Sequence, residues 1–337
     1  MSRQTPPRRS PSAKTSKPVK NKLKKKPSLH SRNVHRNGYD FAELTTACPE
    51  LKGYLVATPR GEQSIDFANP DAVKCLNQAL LLRYYGIQYW DLPPGYLCPP
   101  VPGRVDYLHH LADLLARDAG GSVPQGKKVK VLDIGTGANL IYPIVGLHSY
   151  GWKFVGAEVD PVALGSAQLI AASNPSLKNA IMVRQQKNAE HIFTGIIRAG
   201  EQLDLTLCNP PFHASAGEAK AGTQRKLKNL GERGAGKKQP VLNFGGQANE
   251  LWCPGGERGF VSRMIEESQQ YAQQVCWFSS LISKRENVAP LRKVLSQVGA
   301  VRVEVIPMAQ GNKLTRVLAW SFLTAEQAQV WAAARDS

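Results

Sequence analysis

The sequence lacks a run of about 18 apolar residues, the shortest length typical of a membrane-spanning helix. Its basic N-terminal stretch is not followed by the apolar segment of a secretory signal. We therefore expect a cytoplasmic protein with no membrane contact. The six cysteines include no CxxC pair, so neither a zinc site nor a disulfide framework is indicated. We expect reduced thiols and no metal, and nothing in the sequence selects an oligomeric state.

Acidic residues are missing from the first 39 positions, which hold 12 of the 43 Lys and Arg residues. This segment therefore carries most of the formal net charge of +17. It is rich in Pro and Ser, and it has too few apolar residues to offset the entropy lost on ordering. We expect residues 1–39 to be a disordered basic tail. Such a tail either only improves solubility or binds a polyanion by releasing counterions from phosphates, and its charge favours the second role.

The remaining chain is long enough for one large α/β domain with an extension. Residues 40–124 have mainly helical patterns, interrupted by the Pro-rich stretch DLPPGYLCPPVPGR, and predict an accessory N-terminal subdomain. From residue 125 to residue 330, strand and helix patterns alternate, which is typical of parallel βαβ units. The predicted strands are Lys128–Gly135, Trp152–Val159, Ala180–Arg184, Leu203–Cys208, Gln274–Leu281, Val301–Ile306 and Thr315–Phe322.

Residues 213–240 interrupt this alternation. They are rich in Gly, Ala and Lys, with seven basic residues against two acidic ones. A loop of this length in a compact domain is usually functional or disordered. We expect a mobile, basic loop that faces the substrate, and the alternative is a solvated insertion without a role.

The stretch VLDIGTGAN places Gly135 and Gly137 between the first strand and its helix. Glycines there allow a tight turn and a close approach of a ligand to the backbone. The third glycine of the dinucleotide-binding fingerprint would fall at Leu140, so the pyrophosphate seat of an NAD site is not encoded. An NAD-dependent oxidoreductase is therefore disfavoured.

Glu158 ends the second predicted strand, 21 residues after Gly137. A carboxylate at this position can accept both ribose hydroxyls of an adenosine ligand. The neighbouring Asp160 is instead expected to cap the helix that begins at Pro161. Together with the glycine loop, Asp133 and Glu158 look like the S-adenosylmethionine site of Rossmann-like methyltransferases.

The stretch LDLTLCNPPF ends an apolar strand in Asn-Pro-Pro-Phe. An amino group on a planar base is a poor nucleophile, because its lone pair is delocalised into the ring. The Asn209 side-chain oxygen and the Pro210 carbonyl can each accept one N–H of such an amine, which aims the lone pair at a methyl donor. Phe212 would stack on the flipped-out base. The motif predicts methylation of a planar amino nitrogen.

Several stretches together resemble one family, the large-subunit ribosomal RNA adenine-N6 methyltransferases, often called methyltransferase F. These enzymes share their domain with the eukaryotic methyltransferase-like 16 proteins. The resemblance extends over roughly residues 40–322. Its stretches are VLDIGTGAN, NPPF, SIDFANPDAV (Ser64–Val73), CPPVPGRVDYLHHLADLL (Cys98–Leu115) and ELWCPGGERGFVSRMIEES (Glu250–Ser268). It implies a Rossmann-like class I fold, in which a doubly wound, seven-stranded sheet is mostly parallel with one antiparallel strand.

The resemblance also implies S-adenosylmethionine as the cofactor and N6 of one adenine in 23S rRNA as the target. The partner is then naked 23S rRNA or a large-subunit assembly intermediate. Arg104 would contact the methionine part of the cofactor, and Asn209 would lie beside the reacting methyl group. The other implied cofactor contacts are Gly135, Asn139, Glu158 and Asn188. GGERGF (Gly255–Phe260) falls in a lid-like region of the family.

Other functions remain open at this point. NPPF-type motifs also occur in rRNA guanine-N2 methyltransferases and in protein glutamine-N5 methyltransferases, because all three substrates present a planar amine with two N–H groups. The basic tail and loop favour RNA over protein. A catalytically silent RNA-binding ribosome-assembly protein is a further alternative, but it would not require Asn209 and Glu158, which are both present.

Overall fold

The computed structural model describes residues 1, 29–215, 217–218, 248–310 and 313–336. Most of the predicted basic tail and most of the predicted basic loop therefore lie outside the described residues. The glycine loop, the end of the second predicted strand and the NPPF motif all lie inside them. Within this part of the chain, no helix is both long enough and apolar enough to cross a membrane.

The region before the sheet contains helices and one short hairpin. Its elements are α1 (Phe41–Ala47), β1 (Leu55–Ala57), β2 (Gln63–Ile65), α2 (Pro70–Tyr85) and α3 (Val101–Asp118). Local sequence sets both ends of α2. The Asn69 side chain accepts two backbone N–H groups at its start, and Gly86 ends it at a φ of +66°. The predicted helical character is observed. The hairpin was not predicted, because three-residue strands are too short to show an alternating pattern.

Seven strands form the main sheet. They are β3 (Lys130–Ile134), β4 (Lys153–Glu158), β5 (Ile181–Gln185), β6 (Leu203–Cys208), β7 (Val275–Ile282), β8 (Arg302–Gln310) and β9 (Lys313–Ser321). Their order is β5-β4-β3-β6-β7-β9-β8. β9 runs antiparallel to both of its neighbours, and the other pairs are parallel. The predicted doubly wound, Rossmann-like fold with one antiparallel strand is confirmed.

Helices lie between or after these strands along the chain. They are α4 (Ile141–Tyr150), α5 (Pro161–Ser173), α6 (Ala248–Leu251), α7 (Gly256–Ser268), α8 (Val288–Gln297) and α9 (Ala325–Asp336). The Asp160 side chain accepts the backbone N–H groups of Val162 and Ala163, so it caps α5 as predicted. Gly151 ends α4 in the left-handed region.

α3 joins the N-terminal region to the sheet. Its Tyr107 and Leu111 side chains are fully buried, and they belong to the same hydrophobic cluster as Leu80 of α2, Val131 of β3 and Trp277 of β7. The region predicted as an accessory subdomain thus shares a continuous core with the sheet. This arrangement brings the first turn of α3 to the edge of the sheet where strands β3 and β6 end.

Residues 29–37, here called the N-terminal anchor, lie along α3. The ring of His30 lies 2.9 Å from an Asp113 carboxylate oxygen, and Arg32 donates to the other oxygen at 2.7 Å. The buried Asn33 side chain donates to the backbone oxygen of Pro102 at 2.8 Å. The folded chain therefore begins before residue 39, where the disordered tail was predicted to end. Local sequence does not indicate these contacts, because the partners of the anchor are far away along the chain.

Candidate active site

A pocket opens at the carboxyl edge of the sheet. It spans the ends of β3, β4 and β6, where the strand order reverses, and open α/β sheets bind ligands at this point. The predicted site residues in its wall are Arg104, Gly135, Gly137, Asn139, Glu158 and Asn209. The other four predicted site residues do not line the pocket, although each is next in sequence to a residue that does. They are Asp133, Asn188, Pro210 and Phe212.

The glycine loop between β3 and α4 forms the floor of the pocket. Gly135 and Gly137 have φ values of +65° and +68°, a conformation that favours glycine. The N–H of Gly137 donates to Glu158 Oε2 at 2.8 Å, and the N–H of Thr136 donates to the Ala157 carbonyl at 2.9 Å. The loop is therefore held against the end of β4, and a backbone without side chains faces the pocket.

The Glu158 carboxylate is 7% exposed at the end of β4. Besides Gly137, it accepts the N–H groups of Val159 at 2.8 Å and Asp160 at 2.9 Å, both on Oε1. Burial raises its pKa above the usual value, although these three N–H groups favour the charged form. A carboxylate has about four lone-pair positions, so Oε2 retains one for a ligand hydroxyl. Both lone pairs of Oε1 already accept N–H groups, so none is left for a second ribose hydroxyl.

Asp133 lies beneath the glycine loop and is fully buried. Its Oδ2 accepts the Thr136 hydroxyl at 2.7 Å, whereas its Oδ1 has no hydrogen-bond partner among the described residues. Burial raises the pKa of Asp133 to about 8; the Thr136 hydrogen bond opposes this shift, and the nearby Glu158 charge adds to it. Its position supports the loop from below, outside the pocket lining.

Arg104 projects from the first turn of α3 into the pocket wall. Its Nη1 donates to the Tyr142 hydroxyl at 2.9 Å, and its guanidinium carbon lies 5.6 Å from the centre of the Tyr142 ring. The hydrogen bond and the cation–π contact both orient the side chain. Because the guanidinium is always charged, it places a fixed positive charge at the pocket.

Two predicted asparagines differ in their placement. Asn139 is buried in the pocket wall, and its side-chain oxygen accepts the N–H of Ile141 at 3.1 Å. Asn188 is exposed, and its side-chain oxygen accepts the N–H of Glu190 at 3.0 Å in the turn after β5. Gln186 lines the pocket beside this turn. A cofactor contact by Asn188 therefore stays a prediction.

Asn209 directly follows β6, a strand that is buried along its whole length. The Asn209 Oδ1 atom is buried and has no hydrogen-bond partner in the described part of the chain. An unsatisfied buried acceptor costs about 1–3 kcal/mol, so it is expected where a ligand supplies the donor. Pro211 lines the pocket beside it, whereas Phe212 is half-buried outside the lining.

Comparisons with known proteins agree with this geometry. A family model described as RNA methyltransferase matches residues 23–324. The ribosomal RNA large subunit methyltransferase F of Shewanella pealeana is 52% identical, over 96% of this chain and 91% of its own length. The protein of that name from Ectopseudomonas mendocina is 55% identical, over 92% of this chain and 93% of its own length.

The chain belongs to the ribosomal RNA large subunit methyltransferase F family. The resemblance inferred from the sequence and the methyltransferase class are thus confirmed.

Solved structures of METTL16 share the fold of this methyltransferase F family member. The hMettl16 catalytic domain in complex with MAT2A 3′UTR hairpin 1 is 30% identical and has a TM-score of 0.71, over 88% of this chain and 96% of its own. The N-terminal domain of human METTL16 in complex with SAH is 28% identical and has a TM-score of 0.69, over 88% of this chain and 100% of its own.

The Pro-rich stretch before α3 forms part of the pocket wall in this methyltransferase F family member. Tyr96, Leu97 and Pro99 line the pocket. The Tyr96 hydroxyl donates to Asp160 Oδ1 at 3.0 Å, and the N–H of Leu97 donates to Glu250 Oε2 at 3.1 Å. The sequence indicates only an interruption between helices at this stretch. Its clustered prolines are a signal of rigid, irregular backbone, but not of a place in the pocket wall.

The GGERGF stretch, whose role was not assigned from the sequence, opens α7 beside the NPPF motif. Gly256 packs against the backbone of His213 and Ala214, where an added Cβ would lie 3.2 Å from the Ala214 nitrogen. The buried Glu257 carboxylate accepts hydrogen bonds from Ser283, Lys284 and Asn287, just after β7. Phe260 of the same helix lines the pocket. The stretch thus ties the NPPF segment to the end of β7.

Proposed function

We propose that this protein transfers a methyl group from S-adenosylmethionine to N6 of one adenine in 23S rRNA. The observation that carries this proposal is the Oδ1 atom of Asn209, which is buried in the pocket wall and has no hydrogen-bond partner among the described residues. The name shared by its relatives supports ribosomal RNA of the large subunit as the substrate. The RNA is free 23S rRNA or part of a large-subunit assembly intermediate, and the place of action is then the cytoplasm.

The donor set of the pocket fits S-adenosylmethionine. Glu158 offers a lone pair for a ribose hydroxyl, the glycine loop offers bare backbone, and Arg104 offers a positive charge for a carboxylate. A fold relative solved with SAH supports this assignment, and another solved with an RNA hairpin supports RNA as the substrate. S-adenosylmethionine, when bound, supplies a methyl group on a positively charged sulfur.

The residues after β6 recognise the amine in this proposal. An adenine amino group has two N–H bonds. Asn209 Oδ1 accepts one of them, and the carbonyl of the next residue, Pro210, accepts the other. Two acceptors favour a pyramidal nitrogen whose lone pair points out of the plane of the adenine ring. They therefore stabilise the transition state more than the ground state. Phe212 stacks on the flipped base at the pocket rim. These contacts position the amine and polarise it, and they require no strong base.

The test is a methyl-transfer assay with the full chain, labelled S-adenosylmethionine and either protein-free 23S rRNA or large-subunit precursors. Digestion to nucleosides should place the label in N6-methyladenosine. Label in N2-methylguanosine would show a guanine enzyme, and label in a ribosomal protein would show a glutamine enzyme. Absence of label in every substrate would support a binding role without catalysis. The two RNA preparations separate naked rRNA from an assembly intermediate.

A further inference from the structure

Strands β6 and β7 are bridged by side-chain hydroxyls near Asn209. The two strands pair in parallel at Leu203↔Val275 and at Leu205↔Trp277. Beyond these pairs, the Ser279 hydroxyl of β7 donates to the carbonyl of Thr206, the residue after Leu205, at 2.8 Å. Tyr107 reaches this place from α3, and its hydroxyl lies 2.8 Å from Ser279 Oγ. Side chains therefore make the connection between the strands just before β6 reaches Asn209.

The bonds in this bridge have one consistent direction. The Ser279 hydroxyl has one proton, which it donates to the Thr206 carbonyl. The Tyr107 hydroxyl must therefore donate to Ser279 Oγ. The Tyr107 oxygen in turn accepts the N–H of Cys208 at 3.5 Å. Tyr107, Ser279 and Thr206 have no exposed surface, and Cys208 is 1% exposed. The chain of bonds from Cys208 through Tyr107 and Ser279 to Thr206 is thus closed to water.

Tyr107 also connects this bridge to the cofactor side of the pocket. It lies one turn after Arg104 on α3, and residues with this spacing share a helix face. Its ring meets the edge of the Tyr142 ring at a centroid distance of 5.6 Å, and the Tyr142 hydroxyl accepts the hydrogen bond of Arg104. One helix therefore carries the proposed cofactor arginine and also contacts the end of the strand that Asn209 directly follows.

We propose that Tyr107 and Ser279 are positioning residues for methyl transfer. Their hydroxyls hold Cys208, and thereby set the place of the Asn209 carboxamide relative to the cofactor pocket. This role rests on the proposed function of Asn209. The competing explanation is that the two hydroxyls only satisfy buried backbone groups, as most buried polar groups do. Loss of a hydroxyl would then lower stability without slowing methyl transfer in the folded protein.

The test compares Tyr107→Phe and Ser279→Ala with the matched control Ser280→Ala. Ser280 is equally buried and adjacent, but within the described part of the chain its hydroxyl bonds only to its own strand, at Leu281 O, at 3.3 Å. In single-turnover assays at saturating cofactor and rRNA, the first two variants should be slower by about tenfold or more, since small misplacements are costly. Their cofactor Kd should stay within about twofold of wild type, because no pocket contact is lost. Ser280→Ala should transfer at the wild-type rate.

Two further readouts separate positioning from stability. The double variant should be no slower than the slower single variant, because both changes break one chain of bonds. Amide hydrogen exchange in the peptide from residue 203 to residue 212 should be faster in Tyr107→Phe than in Ser280→Ala. Equal exchange would overturn the inference whatever substrate the wild-type protein proves to have. Wild-type rates in both variants would overturn it while leaving the proposed function intact, whereas an inactive wild-type protein would contradict the proposed function.

Discussion

The Glu158 carboxylate accepts the backbone N–H of Gly137 at 2.8 Å, which joins the end of β4 to the glycine loop. This bond holds the loop that forms the pocket floor. We propose that Oε2 of the same carboxylate also accepts a ribose hydroxyl. Substitution at this position should therefore affect both the cofactor and the loop.

We expect Glu158→Ala to weaken S-adenosylmethionine binding by about tenfold or more, since a hydrogen bond to a charged group contributes roughly 1.5–3 kcal/mol. Calorimetry on the folded variant measures the Kd. Glu190→Ala is the matched control, because it removes an exposed carboxylate at the same sheet edge, outside the pocket lining. An unchanged Kd in Glu158→Ala would mean that another residue holds the ribose.

Asp133 should make the free energy of unfolding depend on pH. Burial raises its pKa to about 8, so the folded protein keeps a proton that the unfolded chain, with an Asp pKa of about 3.9, has lost. Unfolding then releases a proton, and stability falls as the pH rises towards 8, by up to about 1.4 kcal/mol per pH unit. Asp133→Asn should remove this part of the slope.

The best range for this measurement is about pH 6.5 to 8. Burial lowers the pKa of His35 and His109 to about 4, so above their unperturbed value of about 6.5 both are largely neutral in the folded and the unfolded state. Urea denaturation at several pH values gives the slope for wild type and for Asp133→Asn. Parallel curves would show that Asp133 is ionised in the folded protein.

Two truncations separate the effect of the charge of the basic tail on RNA binding from the effect of the N-terminal anchor on stability. Deleting residues 2–28 removes ten Lys and Arg residues but none of the described anchor contacts. We expect a shallower dependence of log RNA affinity on log salt concentration, with an unchanged Tm. Deleting residues 2–36 should also lower the Tm, because Asn33 no longer bonds to α3. An unchanged salt dependence in the shorter truncation would show that the tail does not contact phosphate.

Local signals predicted much of this structure. Leu203–Cys208 is a strand with the predicted bounds, and Asp160 caps α5, because burial of a strand and capping of a helix depend on neighbouring residues. The anchor around Asn33 was missed, since its partners on α3 are about 70 residues away. The position of Asn188 in its turn also depends on how the chain leaves β5, which no motif encodes. Contacts between distant segments were thus the part that the sequence did not reveal.

The decisive variant for the chemistry is Asn209→Ala. We expect it to keep the cofactor Kd within a few fold while methyl transfer falls by about 100-fold or more, because the carboxamide matters most as the adenine nitrogen becomes pyramidal. The cofactor should be held mainly by Arg104, the glycine loop and Glu158, so its binding does not depend on Asn209. Asn37→Ala, which removes an exposed carboxamide from the N-terminal anchor, is the control and should keep full activity.

Phe212→Ala should behave differently from Asn209→Ala. Loss of the stacking ring should raise the apparent KM for RNA as well as slow the transfer, since base stacking contributes about 1–3 kcal/mol. Single-turnover transfer from labelled cofactor, measured at increasing RNA concentration, separates the two effects. In Asn209→Ala the rate should stay low at saturating RNA, whereas in Phe212→Ala it should partly recover. Wild-type transfer by Asn209→Ala would contradict the role of its carboxamide, because the buried Oδ1 would then have no part in holding the amine.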